Sequence, residues 1–149
     1  ITDAEQVFIG EQCLFNWCQD LEMGLSNAGV KEPTFYEEKI KYCREFYMLF
    51  PETDKSIIEN MKRAEAESYY ALGMVEKGES AFQDLVEEFP NSAWMYIGWG
   101  DMYWLFEESK AERDYDKAES LYRMALERNV DKEDVLERLE MLEEERSAQ

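Results

Sequence analysis

The chain has 149 residues, 35 acidic and 16 basic, with a net charge of −19 and no histidine. That balance repels nucleic acid and anionic membrane surfaces, and an ordinary apolar content with only 7 Gly and 3 Pro argues against disorder. Cys13, Cys18 and Cys43 form no C-x-x-C and cannot all pair internally, so neither a disulfide framework nor a zinc site is expected, and the compartment expected is a reducing cytoplasm.

Thr2 and Glu5 have capping-box spacing and open a first helix to about Ala28. Val7, Leu14, Cys18, Leu21 and Leu25 form its apolar stripe, with Phe8, Phe15 and Trp17 beside it and Gly29 as its left-handed terminator. Pro33 and the Thr34–Glu37 pair open helix two, which buries Phe35, Ile40, Cys43, Phe46 and Phe50 and stops at Pro51. Ser56 and Glu59 open helix three, with Ile57, Met61, Ala64, Leu72, Val75 and Tyr69, and Gly78 marks the next turn. Helix four carries Phe82, Leu85, Val86 and Phe89 before Pro90. Asn91 or Ser92 caps helix five, which is aromatic nearly all round through Phe106. After a charged connection, Asp114 caps helix six, with Ala118, Leu121, Tyr122, Ala125 and Leu126 inside and Asn129 at its end. Asp131 caps helix seven, whose Val135, Leu139 and Leu142 share one face.

No segment alternates for long with the period of a strand, so the chain reads as all-α. No run of 18 apolar residues could span a membrane. There is no basic-then-apolar leader, and a start at Ile1 without Met fits a piece of something longer.

Phe50-Pro51 recurs as Phe89-Pro90, preceded in each case by residues of matching type, and a third copy ends at Asn129-Val130. The copies lie 39 and 40 residues apart, a period that marks stacked helical units. One such unit cannot bury its apolar face alone. Units stack, and the stack offers a long surface to another molecule. Seven helices make three pairs and one remainder that covers the last apolar face.

Tyr96, Trp99, Gly100 and Tyr103, followed by Tyr115, Ala118, Tyr122, Ala125 and Leu126, resemble the tetratricopeptide repeat. Ala66, Tyr69, Phe82 and Pro90 match it in the second unit, and Cys43, Phe46 and Pro51 in the first. Gly78 stands where the family prefers Ala, Val130 replaces the closing Pro, and about six extra residues separate Tyr103 from Ala118. The resemblance covers roughly residues 35 to 130. It implies a single domain over 1–149, a right-handed α-α superhelix of three antiparallel helix pairs with units near 3–51, 54–90 and 92–130 and a capping helix at 132–146. The stretch Ile97 to Trp104 is also similar to repeat regions of bacterial proteins that end in a small cysteine-rich zinc motif of the kind at the tail of the secretion motor ATPase, a motif absent here.

Chemistry is sparse. Carboxylate runs such as Glu87-Glu88 and Glu143-Glu144-Glu145 read as solvated faces. A di-iron bundle needs Glu-x-x-His and a cysteine nucleophile needs a base; neither requirement is met without histidine. Gly98 and Gly100 follow no strand and make no phosphate loop. Each costs a helix about 1 kcal/mol against Ala, so another helix must pack close there or the helix bends. No catalytic residues, cofactor or metal are expected.

By the residue roles of the resembled family, Tyr96, Trp99 and Tyr103 face the core. Trp94, Ile97, Asp101 and Trp104 turn to the concave face, joined by Asn60, Arg63, Glu67 and Tyr70 of helix three. At 100° per residue Trp94 and Trp104 fall about 80° apart and share a broad face. Two readings stay open: a groove anchored by Trp94, Tyr70 and Trp104, or an aromatic helix buried on all sides. The family's basic clamp for acidic chaperone tails is not supported, since the matching positions carry Arg63, Glu67, Ile97 and Asp101. The expected function is a non-enzymatic scaffold for a protein or peptide segment, with Glu67 and Asp101 selecting basic or amide-bearing partners. The alternative is a regulatory sensor that binds a small peptide or small molecule and controls a missing effector domain.

Overall fold

The computed structural model describes residues 14–128 and 131–149, with side chains from residue 16 onward. The described residues form seven helices and no strand: α1 (Leu14–Lys31), α2 (Thr34–Leu49), α3 (Lys55–Ala71), α4 (Val75–Glu88), α5 (Ala93–Asp101), α6 (Tyr115–Glu127) and α7 (Lys132–Ser147). The Thr2–Glu5 box, Val7, Phe8, Cys13, Asn129 and Val130 lie outside the described residues, as do the side chains of Leu14 and Phe15.

The Phe-Pro repeat is a repeat of backbone shape. Phe50 ends α2 at φ −124°, ψ 57°, and Phe89 ends α4 at φ −123°, ψ 61°. Each donates its N–H to the carbonyl four residues back, on Phe46 and Leu85, before proline stops the helix. The caps differ from expectation at two starts. Pro33 occupies the cap position of α2 with no side-chain bond, because its fixed φ already sets the helical entry and leaves Thr34 inside. Asp54 caps α3 and accepts from the Ser56 amide at 2.9 Å; its carboxylate suits the positive helix end better than the Ser56 hydroxyl does. Asp114 caps α6 as expected, accepting from the Lys117 amide at 2.9 Å.

Two glycines expected to end helices lie inside them. Gly29 sits within α1 and Gly78 within α4, while the α3–α4 turn falls at Gly73, whose φ of +78° favours glycine. Gly29 and Gly78 are kept small by packing. A Cβ at Gly29 would stand 2.7 Å from the Tyr36 ring, one at Gly78 2.5 Å from Tyr70, and one at Gly100 would run into the Tyr122 ring. Each pair, α1/α2, α3/α4 and α5/α6, is thus closed by a glycine under a buried tyrosine ring.

Helix α5 is shorter than its aromatic pattern suggests. It ends at Asp101, whose carbonyl accepts the amides of Leu105 and Phe106 at 3.0 and 2.9 Å and turns the chain out of helix. The extra residues before α6 dock back through Lys110 N–H to the Tyr70 carbonyl and Asp114 N–H to the Tyr103 carbonyl, both 3.0 Å.

Each helix packs on the next. The odd-numbered helices also approach one another backbone to backbone, α1 on α3, α3 on α5 and α5 on α7, whereas the even-numbered ones stand farther apart, α4 and α6 being bridged by the Lys117–Glu79 ion pair. The odd helices therefore form a tight row. A large core cluster centred on Phe82, Tyr96, Trp99 and Tyr122 fills the space from α3 to α7, and a smaller one holds Cys18, Cys43, Phe46, Met61 and Ala64. Phe82 and Trp99 stack with ring planes 4° apart. The stripe expected on α1 and α2 is only partly covered: Cys18 is buried, but Trp17, Leu21 and Phe35 are exposed.

Candidate functional site

Between α1 and α3, on the odd-helix row, lies a cleft of about 200 Å³ lined by Gln19, Glu22, Met23, Asn60, Arg63 and Glu67, among others. Its polar groups come in helical register. Asn60, Arg63 and Glu67 fall at i, i+3 and i+7 of α3, so they share one face. The Asn60 amide donates to Gln19 Oε1 at 3.4 Å and accepts from Arg63 Nη2 at 3.3 Å. On the α1 side Lys39, buried, donates to Ser26 Oγ at 2.5 Å and lies 2.8 Å from Glu22 Oε1. Arg63 Nε stands 3.4 Å from Glu67 Oε1. Burial pushes the Glu67 carboxyl above its usual range, with Arg63 and then Lys39 pulling it back.

Trp94, at the start of α5, stands beside Arg63, one of the residues that line this cleft. Its side chain is 45% exposed, and the Arg63 guanidinium lies 5.8 Å from its ring centre. Gly98, one turn on, lets α5 come down on α3: a Cβ there would reach Arg63 Cδ at 3.0 Å and Glu67 Oε1 at 3.4 Å. The helical glycines of α5 thus mark close helix approach, Gly98 toward α3 and Gly100 toward α6.

Of the expected surface residues, Asn60, Arg63, Glu67 and Trp94 come together here. Tyr70 and Ile97 do not reach the surface, being 0% and 1% exposed. Trp104 lies beyond the end of α5, so the angular relation to Trp94 is lost. Its indole N–H donates to Tyr122 Oη at 2.7 Å, and its ring meets Tyr115 edge-on. Helix α5 is therefore buried along most of its length, with Trp94 its exposed aromatic residue.

Asp101 is a junction between α5, α6 and α7. It accepts from Tyr122 Oη at 2.6 Å and faces Arg138 Nε at 3.2 Å, off-line, so that this N–H has no hydrogen-bond acceptor. Burial raises the Asp101 carboxyl to about 6, against the pull of Tyr122 and Arg138. The folded value exceeds the unfolded 3.8, so the protonated form is favoured by folding and that stability is lost as pH rises through about 6. Asp101→Asn should therefore gain on the native protein by about 3 kcal/mol between pH 3.5 and pH 7, measured by urea unfolding at the two pH values. A difference independent of pH would contradict it.

A second carboxylate was not legible in the sequence. Glu79 of α4 receives Tyr70 Oη and Trp99 Nε1, each at 2.5 Å, and Tyr103 Oη on one oxygen, and Lys117 Nζ at 2.6 Å on the other. Burial would raise its carboxyl, but these donors, Lys117 foremost, hold it below the usual range. With every donor committed, Glu79 is a structural tie between α3, α4, α5 and α6 rather than a reactive group.

Among the described residues no three His, Cys, Asp or Glu are placed to hold a metal, and no helix is long and apolar enough to cross a membrane. A family model described as a tetratricopeptide repeat matches residues 65–92, from the middle of α3 to the end of the Phe-Pro turn. The chain is a tetratricopeptide-repeat-like helical array. No curated protein and no solved structure matches it. In the array the matched unit contains Ala66, Tyr69, Phe82 and Pro90, and Gly78 takes the place of the family's Ala because the Tyr70 ring occupies the room a methyl would need.

Proposed function

We propose that this tetratricopeptide-like array is a non-enzymatic scaffold that holds a peptide or protein segment along the row of α1, α3 and α5. The observation that carries this reading is Trp94, an exposed indole against Arg63, which lines a polar cleft with unfilled volume. Tryptophan is among the residues most enriched where binding energy concentrates. The cleft, at about 200 Å³, is smaller than the roughly 300 Å³ at which small-molecule pockets begin, and suits one side chain of a longer ligand. The strongly acidic chain favours basic partners and disfavours nucleic acid. We place the protein in a reducing cytoplasm, in keeping with buried, free Cys18 and Cys43, the latter pushed up to about 12 by burial and so inert.

A second reading, a small-molecule sensor, is favoured by a shallow apolar groove of about 440 Å³ lined by Ile40, Tyr69, Leu72 and Met74 with Glu37 and Lys77. Selection of peptides from a displayed random library against the immobilised protein tests the first reading. Trp94→Ala should weaken a selected peptide by about 2 kcal/mol while leaving the melting temperature nearly unchanged. An unaltered affinity would refute the scaffold reading.

A further inference from the structure

We propose that Arg63 is a built-in stand-in for a basic side chain of the partner, occupying the seat that a peptide arginine takes on binding. The proposal rests on the scaffold reading above and adds the chemistry of its ligand. Three observations converge on Arg63. Its Nε is the cation against Glu67, at 3.4 Å. The same guanidinium lies 5.8 Å from the ring of exposed Trp94, the geometry in which aromatic faces hold arginine. Its Nη2 is tied down only by a long bond to Asn60, 3.3 Å, at the rim of the cleft. One side chain thus covers both the carboxylate and the aromatic face that would recognise a guanidinium.

The other charges around Glu67 are committed. Lys39 of α2, the other cation that acts on Glu67, is held by Glu22 of α1 and by Ser26. Arg63, a quarter exposed, is the cation that can swing out. Glu67, also a quarter exposed, has an ion pair with Arg63 and no hydrogen bond to it. A carboxylate held by so loose a partner gains from a planar guanidinium that can bond both its oxygens at once. An incoming arginine would displace Arg63 from Glu67 and slide over Trp94, and the array's affinity is lowered by the cost of that displacement.

The test is titration with N-acetyl-arginine amide and with an arginine-containing peptide selected by display, at pH 7.5, read from the Trp94 indole resonance. Arg63→Gln should bind both at least ten-fold more tightly than the native protein. Arg63→Lys, which keeps the charge and hence the fold, should gain less in the same direction. Glu67→Gln should lose the binding, and the double variant should lose the gain. Equal or weaker binding by both Arg63 variants would overturn the proposal, as would a gain that survives Glu67→Gln. If arginine amide fails throughout while selected peptides still perturb Trp94, the stand-in is wrong and the scaffold stands. If neither perturbs Trp94, both fall.

Discussion

Replacing Glu79 by Ala is expected to lower folding stability by about 3–5 kcal/mol, the scale for removing one member of a buried charged network. Four donors from three other structural segments end on this one carboxylate. Without it the Tyr70 and Tyr103 hydroxyls keep each other, 3.5 Å apart, but the Trp99 indole N–H loses its acceptor. Lys117 is more than a third exposed and can turn to water, so its share is discounted. A melting temperature lower by about 10 °C would correspond, at roughly 2–4 °C per kcal/mol for a chain of this size. Glu79→Gln keeps one acceptor and should fall between. The effect has a pH signature opposite to that of Asp101. The Glu79 carboxyl is depressed on folding, so its contribution is present above the unfolded value of 4.5 and lost as pH falls through the folded one. A loss below 1 kcal/mol at pH 7 would show that the tie is ornamental.

Removing α7 by truncation after Arg128 should cost about 4–6 kcal/mol, from two fully buried aliphatic side chains and one partly buried one at about 1.5–3 kcal/mol each. Val135 and Leu142 are 0% and 2% exposed and belong to the same core cluster as Leu121 and Tyr122, with Leu139 packed against it. Their loss bares the α6 face, and it also takes Arg138 from Asp101 and Arg146 from Asp116 and Glu119. An exposed apolar face of this kind drives association. Reduced stability in urea and a concentration-dependent sedimentation coefficient are the expected readouts; a truncated chain that melts like the native one would show that the array needs no closing helix.

The helix pairs were legible in the sequence because Phe50-Pro51 and Phe89-Pro90 stop two helices by the same local mechanism. The apolar stripes around Phe46, Phe82 and Tyr122 follow a helical period for the same reason. Gly29 and Gly78 carry no sequence mark of their role, since a residue that frees the backbone in a turn is also the one that lets a tyrosine ring lie against a helix, and only the partner distinguishes the two. The end of α5 is hidden in the sequence because an aromatic run carries no stop signal; the Asp101 carbonyl supplies it through bonds made after the helix has ended. At the candidate site, Asn60, Arg63, Glu67 and Trp94 follow from the residue roles that the tetratricopeptide resemblance implies. Tyr70 turns inward instead, toward Glu79, an acceptor on another helix that leaves no mark in the pattern.

The most direct test of the account is to follow backbone amide and indole resonances of the isotope-labelled protein as a display-selected peptide is added. The largest shifts are expected on Gln19, Asn60, Arg63, Glu67 and the Trp94 indole, on the row of α1, α3 and α5. Shifts gathered instead on Ile40, Leu72 and Met74, with Trp94 unmoved, would contradict it.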